Sequence, residues 1–123
     1  MARLSTIGLA ALLLAEPSGA VAGDAQRGAH VFLAYCSRCH SGVRNGPANF
    51  GPNLFGVLGR KSGSVPGFDY SPAMRSAHVV WSADQLKAYV EAPSKIVPGA
   101  RMSTATMDDY ARDDLMAYLA TLK

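Results

Sequence analysis

Cys36-Ser37-Arg38-Cys39-His40 is the most informative motif of this chain, and its fold is predicted from it. Two thiols one helical turn apart can each form a thioether with a haem vinyl group, while the adjacent imidazole reaches the iron. The motif therefore predicts covalent c-type haem attachment, and it uses both cysteines of the chain.

Two other chemistries also use a Cys-x-x-Cys pair. A thioredoxin-like redox pair or disulfide is one, but such a redox pair follows a strand within a βαβ pattern, and none surrounds this motif. A zinc site is the other, but a second ligand pair is missing, because His30 precedes the motif and His78 stands alone far downstream. The surroundings favour haem attachment over both.

The amino terminus has the order of a secretory signal peptide. Arg3 is followed by an apolar run over residues 7–15 and by the small triplet Ala20-Val21-Ala22. This order predicts a signal peptide over residues 1–22, cleaved after Ala22, and one domain over residues 23–123. We expect the periplasm as location; the alternative is a membrane anchor formed by an uncleaved signal, although the apolar run is short for a bilayer span.

Residues 41–72 are rich in turns, with seven glycines and four prolines. A loop of this length in a small domain is uncommon unless it is functional or disordered. A large, flat, apolar cofactor would give the loop a core to fold around, so we expect the chain without haem to be largely unfolded. The apolar residues expected to line the cofactor are Phe50, Phe55, Leu58 and Phe68.

The first predicted helix leads into the haem motif. Asp24 is a plausible N-cap, so the helix begins near Ala25. Phe32 and Gly28 share one packing face. A glycine inside a helix costs stability, so Gly28 indicates the close approach of another helix.

Two later helices are predicted from their caps. Ser82 and Gln85 form a capping box, and the helix they open stops before Pro93. The last helix is expected to run from a cap at Thr106 to about Leu122. A short turn opens at Ser71-Pro72.

Several short stretches follow one another in an order that is similar to a known family: Gly23-Asp24, the haem motif, Gly51-Pro52-Asn53-Leu54, Gly59-Arg60-Lys61-Ser62-Gly63, Gly67-Phe68-Asp69-Tyr70-Ser71, Trp81, Tyr89, Pro98-Gly99-Ala100-Arg101-Met102 and Leu115-Met116-Ala117-Tyr118-Leu119. Together they resemble a class I cytochrome c of the mitochondrial and alphaproteobacterial type. The resemblance covers nearly all of residues 23–123. It implies the all-α cytochrome c fold, in which three main helices and short turns wrap around a covalent haem and the terminal helices cross near Gly28 and Tyr118.

The resemblance also implies a role for nine residues. Cys36 and Cys39 would hold one haem c, and His40 and Met102 would ligate its iron. Spacing alone favours an ordinary turn proline at Pro52, whereas the resemblance implies that its carbonyl accepts a hydrogen bond from His40. The remaining residues would surround the haem, with Arg60, Tyr70 and Trp81 near the propionates and Tyr89 near the Met102 sulfur.

Three positions depart from the family pattern near Met102. Met74 stands where the family usually has asparagine, and Ala100 where it has threonine, so the polar groups that order an internal water in the family are missing. Thr104 replaces a common aromatic residue, and the loop beyond it is about one residue shorter. The departures predict a more open haem edge and a less firmly held Met102.

The function implied is one-electron transfer between redox proteins, by a carrier that is not an enzyme. The alternative is a haem peroxidase or gas-binding sensor with a labile or absent methionine ligand. Expected partners are a cytochrome bc1-type reductase, a terminal oxidase or a periplasmic dehydrogenase, and we expect a monomer without stable membrane insertion. The chain has a net charge of +3 and contains no basic run of the kind that binds nucleic acid. We expect Arg38, Arg44, Lys95 and Arg101 to ring the haem edge.

Overall fold

A computed structural model of the protein describes residues 22–104 and 106–123. Over these residues the chain forms helices and no strand, which confirms the predicted all-α fold. The predicted signal peptide lies outside the described residues except for Ala22. The helices are α1 (Ala25–Tyr35), α2 (Pro72–Arg75), α3 (Ala83–Glu91), α4 (Pro93–Ile96) and α5 (Asp109–Leu119).

Helix α1 begins where the sequence predicts. The Asp24 carboxylate accepts a hydrogen bond from the Arg27 N–H at 2.8 Å, which satisfies one of the free donors of the first turn. At the other end the Cys36 N–H donates to the Phe32 carbonyl at 2.8 Å, so the haem motif continues directly from the last turn. The position of the motif is therefore set by α1.

Helices α1 and α5 cross at Gly28, as predicted. A Cβ on Gly28 would lie 2.7 Å from the Tyr118 Cβ and closer still to the Asp114 carbonyl. The Phe32 and Tyr118 rings pack beside this contact with centroids 5.3 Å apart. Only glycine allows the two backbones to approach this closely.

The shorter helices follow their caps. The Ser82 and Ser71 hydroxyls accept N–H groups three residues ahead, each at 3.1 Å, and open α3 and α2. Pro93 ends the run of α3 and occupies the first turn of α4. Within the described ranges, no helix combines the length and hydropathy that a membrane crossing needs.

The prediction for the last helix was wrong at both ends. Asp108, not Thr106, is the N-cap, because its carboxylate accepts the Ala111 N–H at 2.7 Å. Aspartate is the stronger N-cap of the two, so the helix begins at the later position. The helix also ends before Leu122, since the chain turns after Leu119 and the Thr121 hydroxyl binds the Tyr118 carbonyl at 2.6 Å.

Candidate cofactor site

A cavity of about 350 Å³ opens beside the Cys-x-x-Cys-His stretch. This volume falls in the range of roughly 300–1,000 Å³ found for small-molecule and cofactor sites. All nine residues assigned by resemblance line it: Cys36, Cys39, His40, Pro52, Arg60, Tyr70, Trp81, Tyr89 and Met102. The fold thus brings residues from α1, the turn-rich segment, α3 and the loop after α4 to one place.

The cavity wall is formed largely by the hydrophobic core. Six further buried apolar side chains line it, namely Val57, Leu86, Val90, Met107, Leu115 and Leu119. A large apolar group therefore fits the cavity, because core side chains face it on several sides. Phe50 and Phe68 line the cavity as expected.

Two of the expected lining residues lie elsewhere. Over the described residues, the lining does not include Phe55 or Leu58. The Arg44 guanidinium lies over the Phe55 ring, with its Cζ atom 5.4 Å from the ring centroid. Both residues follow Leu54 in a chain of turns, where apolar character alone does not determine which way a side chain faces.

The His40 ring is held by two neighbouring residues. Its Nδ1 lies 2.8 Å from the Pro52 carbonyl oxygen, which can only accept, so Nδ1 carries the proton and Nε2 keeps its lone pair. Gly51 lies flat against the ring, since a Cβ there would be 2.6 Å from Nδ1. Burial lowers the pKa of His40, the nearby Arg60 charge adds to this, and the Pro52 bond opposes it. The site favours a neutral imidazole, the form that binds metals.

The two cysteines lie on a single turn of chain. The Cys39 and His40 N–H groups both donate to the Cys36 carbonyl, at 3.0 and 2.9 Å. Both thiols are free, Cys36 half-buried and Cys39 exposed. Burial, with a smaller effect of Cys39, raises the pKa of the Cys36 thiol to about 11. Two unpaired thiols therefore lie on the same turn of chain as His40.

One part of the cavity wall is polar and cationic. Arg60 and Lys61 both line it, and the Arg60 Nη1 donates to the Phe55 carbonyl at 3.2 Å. The Tyr70 hydroxyl accepts the Val65 N–H at 3.0 Å and so closes the turn that carries it. Such a wall suits the carboxylates of an otherwise apolar ligand.

Two aromatic rings of the cavity wall pack on each other. The Trp81 and Tyr89 ring centroids lie 5.0 Å apart, and both rings are buried in the core. Met74 and Met107 also line the cavity, which with Met102 makes three methionines in its lining.

Two side chains that the sequence did not indicate hold the loop that carries Met102. The Thr104 hydroxyl donates to the Val90 carbonyl at 2.8 Å, and the Arg112 Nη1 donates to the Met107 carbonyl at 2.5 Å. Neither bond belongs to a local sequence motif that could have indicated it. From the sequence, Thr104 replaces an aromatic residue and so indicates weaker packing. In the structure its hydroxyl instead binds the loop to the Val90 carbonyl.

Comparisons with known proteins identify the chain. A family model described as cytochrome C oxidase, cbb3-type, subunit III, matches residues 23–119. The chain is 44% identical to cytochrome c2 of Rhodopila globiformis over 82% of this chain and 95% of that protein. It is 43% identical to cytochrome c of Euglena viridis, over 82% of this chain and 99% of that protein. The chain therefore belongs to the cytochrome c family, as a haem-containing electron carrier with covalent haem c and not an enzyme.

Proposed function

We propose that Cys36 and Cys39 hold the haem by thioethers, and that His40 and Met102 are the two axial ligands of its iron. The observation that carries this proposal is the His40 to Pro52 contact of 2.8 Å in a cavity that Met102 also lines. A histidine that donates through one ring nitrogen is oriented to bind a metal through the other.

The two ligands determine what the site can do. When bound, the haem supplies a one-electron Fe(III)/Fe(II) couple, and His/Met ligation, the general pattern of cytochromes c, raises its potential because the soft thioether favours Fe(II). His40 and Met102 would both bind the iron and would leave no open position for a substrate. The apolar wall would keep water away from the iron, so that water would not compete with these two ligands. These properties are those of a carrier.

Arg60, Tyr70 and Trp81 would hold the propionate end. Arg60 and Lys61 supply positive charge on this side of the cavity, and Tyr70 and Trp81 supply donors. A carboxylate desolvated by the fold needs such partners. Tyr89, whose ring packs on Trp81, would lie near the Met102 sulfur.

We further propose that residues 1–22 are a signal peptide and that the domain over residues 23–123 shuttles electrons in the periplasm. The basic, apolar and small-residue order of the amino terminus supports this. Exposed basic side chains favour a partner with an acidic docking face, such as a cytochrome bc1-type reductase, a terminal oxidase or a periplasmic dehydrogenase. The basic residues concerned are Arg38, Arg44, Lys95 and Arg101.

The ligand set is tested by replacing Met102. In Met102→Ala holoprotein we expect the weak near-infrared band from sulfur to ferric iron to vanish and carbon monoxide to bind the reduced protein. The matched controls Met74→Leu and Met107→Leu should keep the band. A Met102→Ala protein that keeps it would show that another methionine is the ligand, and assembly of His40→Ala with native ligation would exclude His40.

A further inference from the structure

We propose that Thr104 is a positioning residue for Met102. Its hydroxyl, bound to the Val90 carbonyl, holds the Met102 loop, defined as residues 101–104 and 106–108, against the end of α3. The inference rests on the proposed ligation of iron by Met102. It concerns the strength with which the chain holds that ligand in place.

The Val90 carbonyl is left without a helical donor because α3 ends at Glu91. Val90 lies in the last turn of α3, where carbonyls lack a partner within the helix. Its neighbours are satisfied elsewhere, since the Ala88 carbonyl accepts the Ala92 N–H and the Ala92 carbonyl accepts the Lys95 N–H, each at 3.0 Å. The N–H of Ser94, four residues after Val90, would be its helical donor, and this bond is not among those that the described residues make. Among the described residues, the Thr104 hydroxyl is the donor to this carbonyl, at 2.8 Å.

This bond supplies a partner that the buried carbonyl would otherwise lack. Val90 is 7% exposed and lines the cavity. A buried carbonyl left without a donor is costly, so the bond is favoured whenever the loop is closed. Thr104 is two residues from Met102, so a fixed Thr104 limits how far the Met102 backbone can move.

The rest of the Met102 loop packs against the core through Met102 and Met107 but makes few other hydrogen bonds. The Ala100 N–H binds the Val97 carbonyl at 2.9 Å, and Arg112 binds the Met107 carbonyl. Between Ala100 and Met107, within the described part of the loop, the Thr104 bond is the one hydrogen bond to the rest of the fold. Its loss would free the segment that carries the sulfur.

The role is tested by asking how easily an external ligand displaces the sulfur. Ferric holoprotein is titrated with imidazole, which must replace Met102 to bind, and the near-infrared band is followed. Thr104→Val removes the hydroxyl at nearly constant shape, so we expect imidazole to bind about tenfold more tightly, equivalent to about 1.4 kcal/mol. Thr104→Ser keeps a hydroxyl and should restore the wild-type affinity.

A matched control separates this role from a general loss of stability. The Thr121 hydroxyl makes the same kind of bond, to the Tyr118 carbonyl at 2.6 Å, and does not line the cavity. Thr121→Val should therefore leave imidazole affinity unchanged. Should Thr104→Val fail to give holoprotein, Thr104→Ala makes the same comparison.

The outcomes distinguish the two proposals. If the wild-type band is present but Thr104→Val binds imidazole with wild-type affinity, the positioning role is overturned and Met102 ligation stands. The positioning role is also overturned if Thr104→Ser binds imidazole as tightly as Thr104→Val does. If the wild-type protein itself lacks the band, Met102 ligation fails, and the positioning role of Thr104 fails with it.

Discussion

At the scale of single residues, the state of His40 depends on two neighbours without reactive groups. Gly51 leaves room for the ring, and Pro52 presents the carbonyl that determines which nitrogen is protonated. A histidine whose Nδ1–H donates to a carbonyl is a more basic metal ligand at Nε2, because the hydrogen bond pushes electron density into the ring. If His40 binds the iron as proposed, its strength as a ligand depends on the backbone atoms of Gly51 and Pro52.

Gly51→Ala should disturb this arrangement. The new Cβ would collide with the imidazole, displace it from Pro52 and make it a weaker donor to iron, so we expect a reduction potential above that of wild type. Loss of the hydrogen-bond partner of a metal ligand typically lowers the metal affinity about 10–100-fold. Spectroelectrochemical titration of the holoprotein measures the potential.

The control for this prediction is Gly67→Ala. Gly67 has a φ of +79° and a Cβ there would meet nothing within 4 Å. We expect a loss of about 1–2 kcal/mol in stability from backbone strain alone, with no change in potential. Equal potentials in Gly51→Ala and wild type would contradict the role given to Gly51.

At the scale of helices, the fold depends on the contact between α1 and α5. Gly28 brings the backbones together, and the Asp114 carboxylate binds the Asp24 N–H at 2.7 Å and the Arg27 Nε at 2.8 Å. The start of α1 is thus tied to the middle of α5. This contact fixes the direction of α1 and therefore the place where the haem motif meets the cavity.

Gly28→Ala distinguishes local helix preference from packing. Preference alone favours alanine inside a helix by roughly 0.5–1 kcal/mol. The structure predicts the opposite sign, a loss of about 1–3 kcal/mol, because the added methyl group overpacks the crossing. Urea unfolding of the holoprotein measures the difference. Gln26→Ala, at an exposed position of α1, should stay within about 0.5 kcal/mol of wild type, and a stabilised Gly28→Ala would refute the close crossing.

The Asp114 contact predicts a dependence on pH. Its hydrogen bond with Arg27, together with the Asp24 N–H, lowers the pKa of Asp114 from its ordinary value. The charged form therefore stabilises the fold above the unfolded-state pKa of about 3.9, and this contribution is lost as the pH falls through the lowered native pKa. We expect Asp114→Asn to be less stable than wild type near neutrality.

The difference between the two proteins should shrink below about pH 4. Urea unfolding of both holoproteins across this range measures it. Asp69→Asn is the control, since its bond with Arg75 is exposed and 3.4 Å long, and such pairs contribute little. A gap between wild type and Asp114→Asn that does not change with pH would contradict the assigned ion pair.

At the scale of the whole molecule, the core and the cofactor cavity are one region. Trp81, Leu86 and Tyr89 are buried, and each also lines the cavity of about 350 Å³. Apolar walls without a partner lose much of the packing that stabilises a small domain. The haem is therefore expected to complete the core as well as to transfer electrons.

The chain with Cys36→Ala and Cys39→Ala, purified without haem, should lack a cooperative unfolding transition. Without the thioethers the cavity has no covalent occupant, and binding free energy no longer contributes to folding. Near-ultraviolet circular dichroism and amide hydrogen exchange measure the loss against wild-type holoprotein. A sigmoidal urea transition in the haem-free variant would show that the protein core is sufficient alone.

The local features of this protein could be predicted from its amino-acid sequence. The Cys36 to His40 turn, the caps at Asp24 and Ser82 and the break at Pro93 were all predicted, because each depends on residues a few positions apart. The resemblance added Pro52, whose spacing indicated only an ordinary turn. The predicted cap at Thr106 was wrong, because Asp108, a stronger N-cap two residues later, begins the helix.

Which distant residues meet became clear from the folded structure. It placed Gly51 against His40, turned Phe55 away from the cavity and joined Thr104 to Val90. Contacts of this kind depend on how turns and helix ends pack together, and residue type alone does not encode that packing. A hydroxyl finds its acceptor only after folding has brought an unpaired carbonyl within reach.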